Sequence, residues 1–371
     1  MKSLMNNVKK FLEANCEFLR DQNEPNRIFT KGYKIEGIYL LISKGIPLFR
    51  TEGVGDITLF TIKGDRVEYL LPAILPEKIQ AKIRRRMLEI LRGSFTDDLK
   101  RLMKEKYEKL HYKKIGDNGS WNCYIAPPLS EGGTDIGMCG FCPACTILGS
   151  MITDNELEDA KTSYGLKSRV HHDIAFATTA YEKAVSEMTH NKVGDGVSYT
   201  GMALFEEQHV LPGVCFIGKV VLNDVTMMEA KLVLSSLTTI TRMGAGETKF
   251  GSVQTILLGL KAGKYETISS YDVVRKVLDQ SKGELIPPED VLTHVLRYIK
   301  EKGFTPLLED SNINIGDADL TVEMSNDEIK TLWDKDNYFY AEQVVKYIER
   351  TKKAGGKEGS RERKAKEGEE E

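Results

Sequence analysis

The sequence predicts an α+β fold in which a ferredoxin-like antiparallel sheet is interrupted by large insertions. Segments with strand and helix periodicity follow one another in the order strand, helix, long insertion, strand, strand, helix, strand, which is compatible with a β-α-β-β-α-β sheet. Four of the six cysteines lie between positions 123 and 145, inside the longest insertion. A glycine-rich stretch with one lysine, residues 242–252, precedes the last strand-like run of this core.

The first half of the core begins with an amphipathic helix, predicted over residues 4–22 from the spacing of Leu4, Val8 and Phe11. Residues 35–43 are typical of a strand, and residues 46–62 of a further extended or hairpin region. Pro76 opens a helix over residues 77–91, because proline suits the first helical turn and a glycine follows the last one. The second half of the core is predicted as strands at 169–178 and 213–221, a helix at 225–243 and a strand at 251–260.

These elements divide the chain into five regions. The core is split between residues 1–92 and residues 166–260, and open sheets of this kind often bind single-stranded RNA on one face. Residues 93–165 form an insertion with a basic helix to about position 110 followed by the cysteine-rich loop. Residues 261–350 are predicted to be mostly helical, with helices at 289–302 and 341–350. Residues 351–371 contain no core residue and are expected to be disordered.

Composition indicates a soluble globular protein. Of 371 residues, 41% are hydrophobic and 29% charged, so the chain can bury a large core. The longest apolar runs are too short to cross a membrane, and the N-terminus is too polar for a secretory signal. We therefore expect a cytoplasmic protein without a membrane partner, in which clustered cysteines bind a metal ion more readily than they form disulfides.

Charge is distributed unevenly along the chain. Residues 78–114 contain 13 Lys or Arg against 5 Asp or Glu, whereas residues 301–342 contain 11 Asp or Glu against 3 Lys or Arg. A basic segment can be a solvated helix face, and it is also the electrostatic signature of a protein that binds a phosphate backbone.

The cysteine cluster carries the most specific chemistry. Cys139, Cys142 and Cys145 place three soft ligands within seven residues, and Cys123 lies sixteen positions upstream. A C-x-x-C turn supplies two ligands of a tetrahedral zinc site, so we predict structural zinc with Cys123 as the fourth ligand. His171 or His172 could replace Cys123. An iron–sulfur cluster uses the same spacing, and buried free cysteines are the remaining alternative.

The segment His171-His172-Asp173 allows two interpretations. The three side chains could hold a metal ion for phosphodiester hydrolysis or supply a general base. In a strand, however, His171 and Asp173 would lie on one face and His172 on the other, so that the three would not converge. We favour a structural or RNA-contacting role.

The glycine-rich stretch also allows two interpretations. Glycines let backbone amides approach an anionic ligand, and the same residues could simply connect a helix to a strand.

Four segments in a shared order resemble a known family. Leu71 to Pro76 with the basic helix at 83–86 is similar to its proline turn and first helix, without the usual Gly-Ser-Ser step. Residues 142–150 and Ser168-Arg169-Val170 resemble its C-P-x-C-x-L-F-G and S-R-V segments, although Thr146 and Leu148 depart from that pattern. Residues 193–217 resemble its hairpin and following strand, and residues 244–253 its glycine-rich loop. The chain thus resembles the repeat-associated RNA-binding superfamily of CRISPR proteins, most closely the backbone subunit of type I-D interference complexes.

The resemblance implies a modified RNA-recognition-motif core and a ribonucleoprotein filament for antiviral defence. Copies of the subunit would line up along a single-stranded guide RNA, with other subunits of the complex, and present the guide to target DNA or RNA. A thumb-like hairpin at residues 186–209 would push between bases, with Met188, Lys192 and Met202 as candidate tip residues. Alternatively, the two methionines would pack at the base of the hairpin. The predicted RNA contacts are Lys44, Arg50, Lys82, Arg85, Lys167, Arg169, Lys192, Arg242, Gly244, Gly246, Lys249 and Gly251.

We therefore predict a non-catalytic, zinc-stabilised subunit that binds guide RNA with little sequence preference. The leading alternative is an endoribonuclease of the same superfamily that processes CRISPR transcripts with histidine chemistry. Cleavage of the target by an acidic residue, Asp56 or Asp173, is a third possibility.

Overall fold

The expected ferredoxin-like sheet is present as part of an antiparallel sheet of eight strands within the described residues. The structure is a computed structural model, and it describes residues 4–50, 57–64, 67–110, 121, 123, 138–152, 164–190, 205–308, 315 and 320–350. The chain divides into two compact units. The first comprises residues 1–19, 32–91 and 169–324, and the second residues 20–31, 92–168 and 325–371.

The strands that the structure describes are β1 (Lys34–Ser43), β2 (Leu59–Lys63), β3 (Glu68–Ile74), β4 (Ser150–Ile152), β5 (Tyr164–Leu166), β6 (Val170–His172), β7 (Ala175–Ala177), β8 (Val185–His190), β9 (Phe205–Val210), β10 (Cys215–Asn223), β11 (Val253–Gly263) and β12 (Thr305–Pro306). The α-helices are α1 (Leu4–Ala14), α2 (Pro76–Gly93), α3 (Asp97–Leu102), α4 (Pro143–Leu148), α5 (Tyr181–Ala184), α6 (Met227–Thr238), α7 (Ser270–Ser281), α8 (Pro288–Glu301), α9 (Asn326–Thr331) and α10 (residues 338–350).

The large sheet of the first unit has the order β12-β11-β1-β10-β7-β3-β2, with β6 also paired to β10. Its centre reproduces the ferredoxin-like order, because β11, β1, β10 and the β6–β7 pair are the fourth, first, third and second strands of a β-α-β-β-α-β unit. All the pairings that join these strands are antiparallel. The two helices of the motif are α2, between β1 and β6, and α6, between β10 and β11. The predicted fold class is confirmed.

One face of this sheet is covered by the C-terminal helices. Ile38, Leu40 and Ile42 of β1 form a buried cluster with residues of α7 and α8, among them Val274 and Val295. The described cluster on this face contains no residue of α2 or α6, so we assign these two helices to the other face. There α6 contacts β11, and Arg86 Nε on α2 donates to Thr239 Oγ1 at the end of α6 at 2.9 Å. Because α7 and α8 cover this apolar face, it is not the open face on which such sheets often bind RNA.

Several element boundaries differ from the sequence predictions. The first helix ends at Ala14 instead of position 22, and α6 ends at Thr238 instead of position 243. In α6 the hydroxyls of Ser236, Thr238 and Thr239 bond back to carbonyls four residues earlier, which favours termination of the helix. Residues 71–76 resemble a proline-containing turn of the family, but residues 71–74 form the end of β3, and Pro72 lies opposite Leu59 in the β2–β3 ladder.

The second unit contains α3, α4, α9, α10 and the two-stranded β4–β5 sheet. Its core is aromatic: Tyr107 lies 5.7 Å from Phe141 and 5.7 Å from Trp333 between ring centroids, and Trp121 lies 5.1 Å from Trp333. Two π-helical turns, Met103–Tyr107 and Leu332–Asn337, bring the rings of Tyr107 and Trp333 into this core. The predicted tail at residues 351–371 lies outside the described residues.

Candidate nucleic-acid interface and metal centre

The four cysteines of the insertion meet in the second unit. The Sγ atom of Cys123 lies 3.6 Å from that of Cys145 and 3.8 Å from that of Cys142, and Cys139 Sγ lies 4.0 Å from Cys145 Sγ. All four are buried, and their sulfur atoms lie within 4.8 Å of one another. Tetrahedral zinc with Zn–S bonds of about 2.3 Å requires sulfur atoms about 3.8 Å apart. The four thiols therefore fit one metal ion, and no histidine joins them in the part of the chain that the structure describes.

Local backbone geometry orients these sulfur atoms towards one another. Gly140 has a φ of 78°, a left-handed conformation that turns the chain between Cys139 and Cys142. The amide of Cys142 donates to Cys139 Sγ at 3.3 Å, and Cys142 then caps α4, which carries Cys145. Burial raises the pKa of the Cys139 and Cys142 thiols well above the usual range. A bound cation would offset this effect, because metal ligation deprotonates a thiol.

A polar network that sequence reasoning missed supports the turn. Asn337 Nδ2 donates to Phe141 O at 2.7 Å and to Tyr107 Oη at 3.0 Å, and Thr146 Oγ1 donates to Asn337 Oδ1 at 2.8 Å. Asn337 is 1% exposed. Such outer hydrogen bonds orient metal ligands. No sequence signal identified Asn337, since it lies 191 positions from Thr146.

The glycine-rich loop lies in the first unit and packs closely against the segment after β1. The amide of Ala245 donates to Leu48 O at 2.9 Å. Gly244 has a φ of 105°, and a Cβ atom there would lie 2.8 Å from Leu48 O, so glycine is required. Arg242 is exposed and holds the loop together, because its Nη1 donates to the carbonyl oxygens of Glu247 and Thr248. Within the described residues, the amides of Glu247 and Thr248 donate no hydrogen bond.

Two cavities flank this loop. The larger, of about 590 Å³, is lined by the loop, by α2 and by residues 48–50. The smaller, of about 370 Å³, is lined by Arg50, His209, Thr248 and Lys249 among others. The His209 ring is buried against Phe250, with centroids 5.4 Å apart, and its Nδ1 lies 2.9 Å from Ile46 O. Sequence reasoning missed His209 because its contacts are with residues distant in the chain.

Most of the predicted RNA contacts lie around these cavities. Lys44, Arg85 and Lys249 are exposed, and none of them forms an ion pair with another described residue. Arg50 is exposed and lies 3.8 Å from Glu207. Lys82 contacts both carboxylate oxygens of Glu247, at 2.9 and 2.8 Å. The remaining predicted positions around the loop are Arg242, Gly244, Gly246 and Gly251.

Two predicted basic contacts lie elsewhere. Arg169 is buried, and its guanidinium forms a two-point ion pair with Glu229 at 2.8 and 2.7 Å and a bond to Asp224 O. These contacts give it a structural role, so we remove Arg169 from the set of phosphate contacts. Lys167 is exposed in the second unit, after β5. Lys192 lies outside the described residues.

The His-His-Asp segment follows the predicted alternation. His171 pairs with Val221 and His172 with Val220 on β10, so their side chains lie on opposite faces of the sheet. Asp173 Oδ2 accepts from the amide of Ser270 at 2.9 Å, where α7 begins, and burial raises the pKa of its carboxyl. The segment thus connects the sheet to α7. Asp56, the other acidic candidate, lies outside the described residues.

The base of the predicted thumb is a two-stranded ladder of β8 and β9, from Val185 opposite Val210 to His190 opposite Phe205. Met188, one of the predicted tip residues, lies instead within this ladder opposite Glu207 and is half-buried. The other predicted tip residues, Lys192 and Met202, lie outside the described residues.

The chain matches the model of the family described as Csc2 Crispr over residues 18–340. The crystal structure of Thermofilum pendens Csc2 is 33% identical, with a TM-score of 0.67, and the match covers 90% of this chain and 94% of that one. Two subunits of structures titled CRISPR RNA-guided surveillance complex match at 10% identity, with TM-scores of 0.45 and 0.41, over 81% and 80% of this chain and 99% and 98% of theirs.

The family match identifies a CRISPR protein, and its core is the ferredoxin-like sheet described above. More particularly, the chain belongs to the Csc2 CRISPR family. The family predicted from the sequence is therefore confirmed. No curated protein matches the chain. None of the helices in the described ranges combines the length and the apolar character needed to cross a bilayer.

Proposed function

We propose that this chain is a non-catalytic backbone subunit of a CRISPR interference complex that binds single-stranded guide RNA through its phosphates. One observation carries the proposal. Basic residues from three separate segments meet at the glycine-rich loop: Arg50, Lys82, Arg85 and Lys249 line its two cavities. Arg242 lies within the loop, and the amide of Lys44 donates to Ser252 O at its end.

The chemistry of this surface suits a phosphate backbone. Backbone amides and cationic side chains in a glycine-rich concavity bind anions without reading bases. Binding should therefore tolerate sequence changes and weaken steeply with salt, because each neutralised phosphate releases counterions. In this proposal the copies of the subunit and its partners hold the guide for complementary DNA or RNA, and the β8–β9 hairpin separates bases.

The test is an electrophoretic mobility shift of labelled single-stranded RNA across a salt series, with cleavage scored on the same gel. We expect Arg50→Glu with Lys249→Glu to lower affinity at least tenfold and to leave the RNA intact. The matched control is Lys276→Glu, since Lys276 is about as exposed and lies on α7, which lines neither cavity. Unchanged binding by the double variant would refute the proposed surface.

The same gel tests the alternative enzyme. Discrete RNA fragments formed without added metal ions would identify a processing endoribonuclease, and a substitution of His209 or His171 should then abolish them. RNA that is shifted and intact would support the binding subunit.

We also propose that the four-cysteine centre holds structural zinc. The closed set of four sulfur ligands, with no place for water among them, is typical of structural sites. Elemental analysis of the purified protein should give one zinc per chain, and Cys142→Ser should lower that content. Iron with visible absorbance would indicate an iron–sulfur cluster instead.

A further inference from the structure

The larger cavity beside the glycine-rich loop has an apolar wall and a charged mouth. Its volume is about 590 Å³, which falls in the range typical of small-molecule sites. Phe49, Ile74, Ala81 and Met243 contribute to the apolar wall. The mouth carries four cations and two carboxylates, which are Arg50, Lys78, Lys82, Arg85, Glu77 and Glu247.

One of these carboxylates, that of Glu247, forms an ion pair with one of the cations, Lys82. Glu247 accepts from Lys82 Nζ with both oxygens, at 2.9 and 2.8 Å, and the two side chains are 33% and 18% exposed. Lys82 projects from α2, whereas Glu247 belongs to the glycine-rich loop. The backbone of Glu247 is itself fixed, because its carbonyl accepts from Arg242 Nη1 at 2.9 Å and from the amide of Gly251 at 3.2 Å.

The Glu247 carboxylate occupies the position on Lys82 that a bound anion would take. A carboxylate with two oxygens on one ammonium imitates the way in which a phosphate would sit on Lys82. Apolar wall and anion position are adjacent, and a nucleotide combines the same two features: a flat base and a phosphate. An aliphatic and aromatic surface accepts any base, because every base presents a π-face.

We propose that this cavity receives one nucleotide of the bound RNA, whose phosphate replaces Glu247 on Lys82 and whose base lies against the apolar wall. The inference rests on the proposed RNA-binding function and assigns it a specific site. Glu247 then acts as an internal competitor. RNA gains the contact with Lys82 only by breaking the existing ion pair, so the measured affinity is lower than the exposed basic surface alone would give.

The first experiment compares Glu247→Gln with Glu77→Gln. Both remove one negative charge from the same cavity mouth, but among the described residues only Glu247 is hydrogen-bonded to Lys82. We expect Glu247→Gln to tighten binding of a mixed-sequence single-stranded RNA about two- to fivefold beyond Glu77→Gln, the range for partly exposed ion pairs. A melting temperature close to that of the wild type shows that the loop is intact.

Equal effects of the two substitutions, or weaker binding by Glu247→Gln, would refute the claim that Glu247 competes with RNA for Lys82. The proposed RNA-binding function would survive this result as long as the wild type binds RNA. Lys82→Ala supplies a further check: in that background Glu247→Gln should no longer tighten binding more than Glu77→Gln. If neither the wild type nor any variant bound RNA, the proposed function would fail and this inference with it.

The second experiment tests the base. Ala81→Leu fills cavity space beside the apolar wall without changing charge. Ala81→Ser is the matched control, because serine is close to alanine in volume and leaves that space open. We expect Ala81→Leu to weaken binding of RNA about fivefold and to leave binding of an abasic ribose-phosphate oligomer of equal length unchanged. Equal losses for both ligands, or no loss for either, would show that no base enters the cavity.

Discussion

At the scale of single residues, sequence patterns predicted on which face of a strand a side chain lies, but they did not predict which distant residues it contacts. Strand alternation separated His171 from His172, as the register with β10 shows. It could not identify the bond from Ser270 to Asp173, because that contact joins residues 97 positions apart. Arg169 was predicted as a phosphate contact for the same reason: its partner Glu229 lies on α6, 60 positions away.

His172 makes the stability of the chain depend on pH. Both of its ring nitrogens are buried without a hydrogen-bond partner among the described residues, and burial lowers the pKa of His172 from 6.5 to about 3. Between these values the unfolded chain binds one more proton than the folded chain. The contribution of His172 to the free energy of unfolding is therefore fully present above pH 6.5. It is lost as the pH falls towards 3, by about 1.4 kcal/mol per pH unit.

We expect His172→Leu to remove this slope. Urea unfolding at pH 6.5 and at pH 5.0 should show the wild type losing about 2 kcal/mol more than the variant. His171→Leu is the matched control, because His171 is exposed on the other face of the sheet. If wild type and His172→Leu lost stability in parallel, the buried imidazole would not be the cause.

At the scale of elements, local sequence signals predicted the cysteine turn but not the element whose side chain supports it by hydrogen bonds. The C-x-x-C spacing and Pro143 indicated the turn and the start of α4. The π-helical turn Leu332–Asn337 has no comparable signature in the sequence, although it supplies the side chain that bonds to Phe141 O.

We expect Asn337→Leu to loosen the metal centre. The substitution leaves Phe141 O, Tyr107 Oη and Thr146 Oγ1 with fewer partners in a buried place, which should lower the free energy of unfolding by about 2–3 kcal/mol. Zinc release to a chelating dye should also become faster. Lys330→Ala, which removes only an exposed ion pair with Asp98, should change neither quantity appreciably.

At the scale of the whole molecule, the order of elements was sufficient to predict the sheet, because its strands have strong periodicity. It was not sufficient to predict that α7 and α8 cover one face, since an amphipathic helix does not reveal which surface it packs on. The basic segment at 78–114 proved to contain both cavity-lining residues such as Lys82 and Arg85 and pairs exposed at the surface, such as Lys100 with Asp97.

Salt dependence reports how many phosphates this surface neutralises. For single-stranded nucleic acid, the slope of log affinity against log salt is about −0.7 per phosphate contacted. We expect Arg85→Gln and Lys249→Gln each to reduce the magnitude of the slope by about 0.7, whereas Lys276→Gln leaves it unchanged. Equal slopes for all these proteins would mean that the RNA binds elsewhere.

The covered sheet also has a consequence for how the chain is made. Among the described residues β1 pairs with β10 and β11, so roughly 210 further residues must be synthesised before β11, its second neighbour, begins. At about 5–20 residues per second a ribosome needs roughly 10 to 40 s for that length. For the first roughly 170 of these residues β1 lacks both neighbouring strands, and throughout the interval it lacks the α7–α8 cover. During synthesis the nascent chain therefore exposes apolar strand surface that the finished fold buries, and exposed surface of this kind is what chaperones protect from aggregation.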